Sequence, residues 1–429
     1  MASEKINVFW FRRDLRLEDN TGLDTALRDD LPVLPLFIFD RNITDDLKPD
    51  DARISFIYKA LLSLNRKLAA FGSSILIKHG TPQQVWHELV TSYSINGVFF
   101  NRDYEPYAIN RDKEITEFLK KKGVMVQSYR DQVIFEEKEV VKPDGLPYTM
   151  FTPYKNAWMR KFAALGTGLH EPGAQRNFLK QHVLFPEPGN FGFRPSKTEV
   201  PDYDLSNIKE YHKYRDFPAE DRTTHLGPHL RFGTVSVRKI AQTAVSENHV
   251  FLGELVWREF FMQILFNFPH VVTGNFRKKY DNVSWRNNEQ EFRRWCNGET
   301  GYPIVDAGMR QMNETGFMHN RVRMITAGFV CKHLLTSWWY GEAYFAEKLN
   351  DYELSSNNGN WQWVAGTGCD AAQYFRVFNP AFQQKKFDPQ NEYVRKWVPD
   401  YDKSTYPKPM VEHTFARNRA IEAYKRGLL

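Results

Sequence analysis

Residues 6–20 read INVFWFRRDLRLEDN. Five of the first six side chains are apolar on nearly consecutive positions, which suits a strand buried on both faces better than a helix or a half-solvated strand. The stretch that follows, FRRDLRLEDN at 11–20, mixes three arginines with three acids and holds no glycine. A dinucleotide-binding strand of the common kind ends in G-x-G-x-x-G, and no Walker-type loop occurs anywhere in the chain. The charged turn therefore reads as a lock between a strand and the helix after it.

The pattern recurs outward from this stretch. VLPLFIF (33–39), SILIKHG (74–80), GVFFNRD (97–103) and VMVQSYR (124–130) read as four more strands, with helical periodicity over 52–71, 82–93 and 109–122. Thr81-Pro82 has the look of a helix start. Strand–helix alternation with short loops predicts a doubly wound parallel five-stranded α/β domain over 1–131. Its ligand crevice would be bordered by 11–20 and 101–107.

Charge separates the two ends of the chain. Residues 1–131 hold 19 Lys/Arg and 19 Asp/Glu, so the whole net charge of +6 lies beyond them. An anionic partner is expected to meet the later part. Aromatic content is 15%, which points to ring-lined interior surfaces. Cysteines stand only at 296, 331 and 369, too scattered for a disulfide framework or a zinc site. With no signal pattern at the start and no apolar run of membrane-spanning length, the expectation is a cytoplasmic monomer with no membrane association.

Residues 132–200 read as a long interdomain linker wrapping the surface, rich in Pro and Gly, with a helix near 152–165. From 201 to 429 strand signals vanish and helical periodicity takes over. Four segments there carry unusual residues. In 211–235, Thr223, Thr224 and Gly227 precede a helical run and could present hydroxyls and N–H groups to a phosphate. In 253–268 (GELVWREFFMQILFNF), Glu254, Trp257, Arg258 and Phe261 share one helix face and the other positions are almost wholly apolar. That face could stack a base and read its edge. In 301–335, Asn320, Arg323 and Met324 share a face, and Arg310 and Arg321 could meet phosphates. In 351–380 (DYELSSNNGNWQWVAGTGCDAAQYFRVFNP), carboxylates, asparagines, indoles and glycines mix in the manner of a pocket for a planar, polar ligand.

Together, TGYPIVDAGMRQMNETGFMHNRVRMITA (300–327), ELVWREFF (254–261), NNGNWQWVAGTGCDAAQYFRVFNP (357–380) and the opening FRRDLRLEDN resemble the photolyase/cryptochrome family. The resemblance runs in order along nearly the whole chain and is closest to class I cyclobutane pyrimidine dimer photolyases. It implies an α/β domain, a linker and an all-helical domain holding FAD, with UV-damaged DNA as partner. Tyr211, Thr223, Thr224, Leu226 and Gly227 would lie at the phosphates. Asn320, Arg323, Asp351, Glu353, Asn357 and Trp361 would lie around the rest of the cofactor. Glu254, Trp257, Asn320, Met324 and Asn357 would form the catalytic set at the flipped-out dimer, and Arg215, Arg258, Arg321 and Arg376 would join Glu254 and Trp257 in holding DNA. Trp361, Trp338 and Trp285 would carry an electron inward from the surface.

Two positions depart from the family pattern. Glu353 stands where a second aspartate is usual, and Tyr107-Ala108 stands where folate-antenna members carry Asn-Glu. The second change argues against a folate antenna and leaves a deazaflavin, another flavin or no second chromophore open. Two other readings compete with repair: a cryptochrome-type blue-light receptor with the same flavin, and a flavoprotein for ordinary electron transfer. Asn357 argues against the first. Trp257, Glu254 and the arginines argue against the second.

Overall fold

The apolar run at 6–11 forms β1 (Lys5–Phe11), followed by β2 (Val33–Asp40), β3 (Leu76–Gly80), β4 (Ser94–Asn101) and β5 (Met125–Tyr129). In the computed structural model, which describes residues 4–169 and 177–429, all five pair in parallel in the order β3-β2-β1-β4-β5. The stretch 170–176 of the expected linker lies outside the described residues. Consecutive apolar side chains of β1 serve opposite faces, as the sequence predicts. Phe9 and Phe11 join one core with Leu61, Leu64 and Leu68, while Ile6, Val8 and Trp10 join the other with Trp86 and Ile115. The helices fall close to their expected bounds, at Ala52–Ala69, Pro82–Ser92 and Pro106–Lys121, and Thr81 and Gln84 close a capping box ahead of the second.

The charged turn is a lock, though onto residues that follow β4 and β5 and onto Arg238, not onto the helix after β1. Arg13 donates to Asp103 at 3.0 Å and Glu105 at 3.2 Å, and Arg16 grips Asp131 at 2.7 and 2.8 Å. Arg238 reaches Asp131 at 2.7 Å and Asp19 at 2.9 Å. Arg238, Asp19 and Asp131 are all under 5% exposed. Burial pushes Asp131 up, but Arg16 and Arg238 more than offset it and hold the carboxyl below its ordinary range.

The chain forms two compact units interleaved in sequence. The first comprises Met1–Glu136, Arg160–Pro201 and Leu226–Thr243; the second comprises Glu137–Met159, Asp202–His225 and Ala244–Leu429. The Arg238 pairs explain why 226–243, expected in the helical domain, go with the sheet. The expected surface course of the linker is corrected by the helix Phe151–Leu165, whose Phe151, Tyr154, Trp158 and Phe162 are buried. Within the second unit Trp158 Nε1 donates to the buried Glu259 at 2.6 Å.

Helices make up the second unit, around a core that includes Met309, Met312, Val322, Ile325, Trp338, Phe345 and Trp361. A π-helical turn, Phe329–His333, interrupts the helical run that starts at Asn320. It carries Lys332, whose Nζ donates to Ala365 O at 2.7 Å and lies 3.8 Å from the Tyr424 ring, while Tyr424 OH donates to the same carbonyl at 2.6 Å. Burial pushes the Lys332 ammonium from 10.5 down to about 7.

Two outcomes follow from these buried charges. Arg238→Ala leaves Asp19 and Asp131 short of a partner and is expected to cost about 3–5 kcal/mol in urea denaturation. Lys332 keeps its proton to about 10.5 when unfolded but only to about 7 when folded. At this site the unfolded state therefore binds the extra proton in that window, and the Lys332 contribution to stability rises with pH by roughly 1 kcal/mol per unit. Burial pushes the Cys296, Cys331 and Cys369 thiols up to about 12, which opposes this slope above about pH 8. The Lys332 slope should therefore appear as the difference between wild type and Lys332→Met in urea melts from about pH 7.5 to 9.5.

Candidate functional site

The site is built where the helix His249–Asn267 meets the helix Leu354–Ala365. A Cβ at Gly359 would lie 2.1 Å from the Phe261 ring, so only glycine permits this approach. On the first helix the buried residues include Leu255, Val256, Phe260 and Phe261, which leaves Glu254, Trp257 and Arg258 on the half-open face. Glu254 accepts from Arg215 at 2.6 Å. The Trp257 indole stacks on Phe151 with centroids 3.5 Å apart and planes at 8°, and Phe261 lies 5.5 Å away at 26°.

Arg258 is a correction. Expected at the DNA backbone, it turns inward and donates to Glu353 at 2.9 Å, with side-chain exposures of 13% and 5%. A buried carboxylate needs a cation more than the surface does, so reaching a phosphate would mean breaking this pair. Glu353, the longer-armed replacement, is thus engaged by Arg258.

The third element is the helix Asn320–Gly328, capped by His319, whose Nδ1 accepts from Arg321 N at 3.2 Å. Arg323 donates to both oxygens of Asp351, at 3.1 and 2.9 Å, and through Nε to Met318 O. Arg321 pairs with Asp216 at 2.7 Å, and its other nitrogen lies 3.7 Å from the Met324 sulfur. Asn320 is exposed at the first position of the helix. Asn357 donates through Nδ2 to Glu342 Oε1 at 2.9 Å and Glu342 O at 3.1 Å, which leaves the carbonyl oxygen as the atom available to a ligand. Arg376 is exposed. His319 is buried, and burial pushes its imidazole down to about 4.

Several buried polar atoms on these segments have no protein partner: Thr223 Oγ1, His225 Nδ1, His319 Nε2, Arg321 Nε and Ser355 Oγ. Buried polar groups are otherwise almost always paired, so a polar ligand suits these segments. Tyr211 is half-buried in the second unit with Thr223 and Thr224, whereas Leu226 and Gly227 open the short helix Leu226–Phe232 of the first. Trp361 packs its ring against Gly341, where a Cβ would lie 2.1 Å away, on the buried Trp338–Gly341–Phe345 stripe of the helix Trp338–Lys348. Trp338 donates to Asn275 at 2.9 Å, and Trp285 packs half-buried against the same core. In the first unit Tyr107 OH donates to Asp40 at 2.5 Å, and Arg12 pairs with Asp112.

Sequence reasoning missed Asp216, Glu342, Glu259 and Phe151. Only Glu259 carried a signal, as an acid separated from Gln263 by the apolar residues 260–262. The others are joined to the site by contacts that local spacing does not reveal.

Residues 7–174 match the family described as DNA photolyase, and residues 251–404 match the FAD binding domain of DNA photolyase. A deoxyribodipyrimidine photo-lyase of Agrobacterium fabrum is 34% identical, with 97% of each chain covered. The chain belongs to the DNA photolyase family. Among solved structures, a bacterial class III photolyase from Agrobacterium tumefaciens superposes with a TM-score of 0.87 at 32% identity, covering 100% of this chain and 98% of that one. An archaeal photolyase from Sulfolobus tokodaii with two FAD molecules gives 0.86 at 34% identity, covering 98% and 99%. The class I expectation is therefore withdrawn. The motifs behind it identify the photolyase family without separating its classes, and the relative of stated class is class III.

As a photolyase family member the chain binds FAD, and the orphaned polar atoms fit that cofactor. Arg323→Leu leaves Asp351 without its cation. It is expected to weaken FAD retention by roughly tenfold or more, read as the flavin-to-protein ratio after dialysis.

Proposed function

We propose that this chain repairs cyclobutane pyrimidine dimers in UV-damaged DNA by light-driven electron transfer. The observation that carries the reading is the half-open face of an otherwise buried helix, with Trp257 one turn from a Glu254 that Arg215 holds at 2.6 Å. An indole offers a flat stacking surface to the flipped-out dimer. Glu254, fixed in orientation, reads the pyrimidine edges. Met324 packs against the lesion through a polarizable thioether that has no proton to give. Arg215, Arg321 and the exposed Arg376 meet the DNA backbone, whereas Arg258 serves by holding Glu353.

Within the second unit, Tyr211, Thr223 and Thr224 would hold the phosphates of FAD, and Asn320, Arg323, Asp351, Glu353, Asn357 and Trp361 the rest. When bound and reduced, the cofactor supplies light absorption and one electron. Opening the ring means breaking the two C–C bonds that join the bases, which would need that electron only transiently and no net proton transfer from the chain. The chain excludes water, keeps two flat systems close and orients Asn357 through Glu342. Trp285, Trp338 and Trp361 form the inward electron route from the surface, which the packing of Trp361 against the helix bearing Trp338 supports.

Lesion choice follows from the same chemistry. Rebuilding a (6-4) product needs a proton donor, and His319, pushed down to about 4, is neutral near pH 7. Illumination of the reduced holoprotein should restore oligonucleotides carrying a cyclobutane dimer and leave the (6-4) product intact. Equal rates on both lesions would overturn the assignment. Trp257→Ala should weaken dimer binding by about 1–3 kcal/mol.

A further inference from the structure

Trp257 does not hold its own position. Its indole lies flat on Phe151, and the segment carrying Phe151 is pinned to the second unit at several points. Asp370 Oδ2 accepts from Phe151 N at 3.1 Å. Gln263 Nε2 donates to Tyr148 O at 2.9 Å, and Trp158 Nε1 donates to Glu259 at 2.6 Å. Glu259 and Gln263 are the buried polar side chains of an otherwise apolar stretch of helix, one turn apart, and both hold the 148–158 segment. Asp370 has φ +46°, a left-handed backbone that a non-glycine residue keeps only when its surroundings determine it.

We infer that Phe151, clamped by Asp370, Gln263 and Glu259, is a positioning residue that fixes the Trp257 indole for lesion stacking. The inference rests on the reading of Trp257 as the stacking face. A phenyl ring flat against an indole covers one face and restricts its rotation, so the plane of the indole is set before a ligand arrives. Fixing an aromatic rotamer in advance lowers the ordering cost of binding. Affinity for undamaged duplex rests on charge and does not use this face.

The test compares holoprotein variants for binding to duplexes with and without one cyclobutane dimer, alongside FAD content. Phe151→Leu keeps apolar bulk and removes the ring. It is expected to lower dimer affinity roughly tenfold while undamaged-duplex affinity and flavin content hold, and Phe151→Tyr should retain wild-type discrimination. In a Trp257→Ala background Phe151→Leu should cause no further loss. Should Phe151→Leu fail to fold, Asp370→Ala, which removes the backbone anchor without opening the core, is expected to give a smaller loss of discrimination. If Trp257→Ala reduces discrimination but Phe151→Leu and Asp370→Ala do not, the clamp is overturned alone. Losses that add in the double variant overturn it equally. If Trp257→Ala leaves discrimination intact, the stacking reading fails and the clamp with it.

Discussion

The contact of the Phe261 ring with the backbone at Gly359 sets the rest of the second unit's site. Because no Cβ intervenes, the helices His249–Asn267 and Leu354–Ala365 meet closely. That distance lets Arg258 on one helix reach Glu353 at the head of the other. Phe261 also packs against Trp257 one turn earlier. One small residue thus couples the helix that carries Glu254, Trp257 and Arg258 to the helix that carries Asn357 and Trp361. Gly341 does the same for Trp361 on the far side of the second helix. Glycine in a helix interior costs helix stability relative to alanine, and here the loss is offset by close packing of large rings.

Buried charge is used in two ways. In the first unit, Arg16, Arg238, Asp19 and Asp131 neutralise one another and tie a distant segment of chain to the sheet. Such a network adds specificity of arrangement, since any one member left alone is strongly unfavourable. In the second unit, the pairs Arg215–Glu254, Arg321–Asp216 and Arg323–Asp351 remain partly exposed. Each leaves donors or acceptors free for a ligand while holding the side chain in place. The first arrangement fixes the course of the chain, and the second holds side chains in set directions at partly exposed positions.

The candidate site was legible in the sequence to the extent that its residues share local spacing. Glu254, Trp257 and Arg258 lie at helical intervals in an apolar run, and the structure puts all three on one half-open face. Spacing could not tell which way each of them turns, because the direction of Arg258 depends on a carboxylate 95 residues away. Phe151 and Asp370 were illegible for the same reason, being 106 and 113 residues from Trp257 in the chain. His319 could be seen in the sequence, but its lack of charge follows from burial, which is a tertiary property.

By itself the sequence determined the five-stranded parallel sheet and the change to an all-helical chain beyond 201. Those features rest on periodicity and on the rule that consecutive apolar residues seek two buried faces, which are local matters. Tertiary structure alone decided that 226–243 join the sheet, that the helix Phe151–Leu165 is buried, and that Arg258 serves Glu353. Each of these depends on a partner distant in sequence, and a guanidinium or an indole takes the direction in which its charge or ring is best satisfied. Local sequence sets which residues can take part in a site, and packing sets which atoms they turn toward.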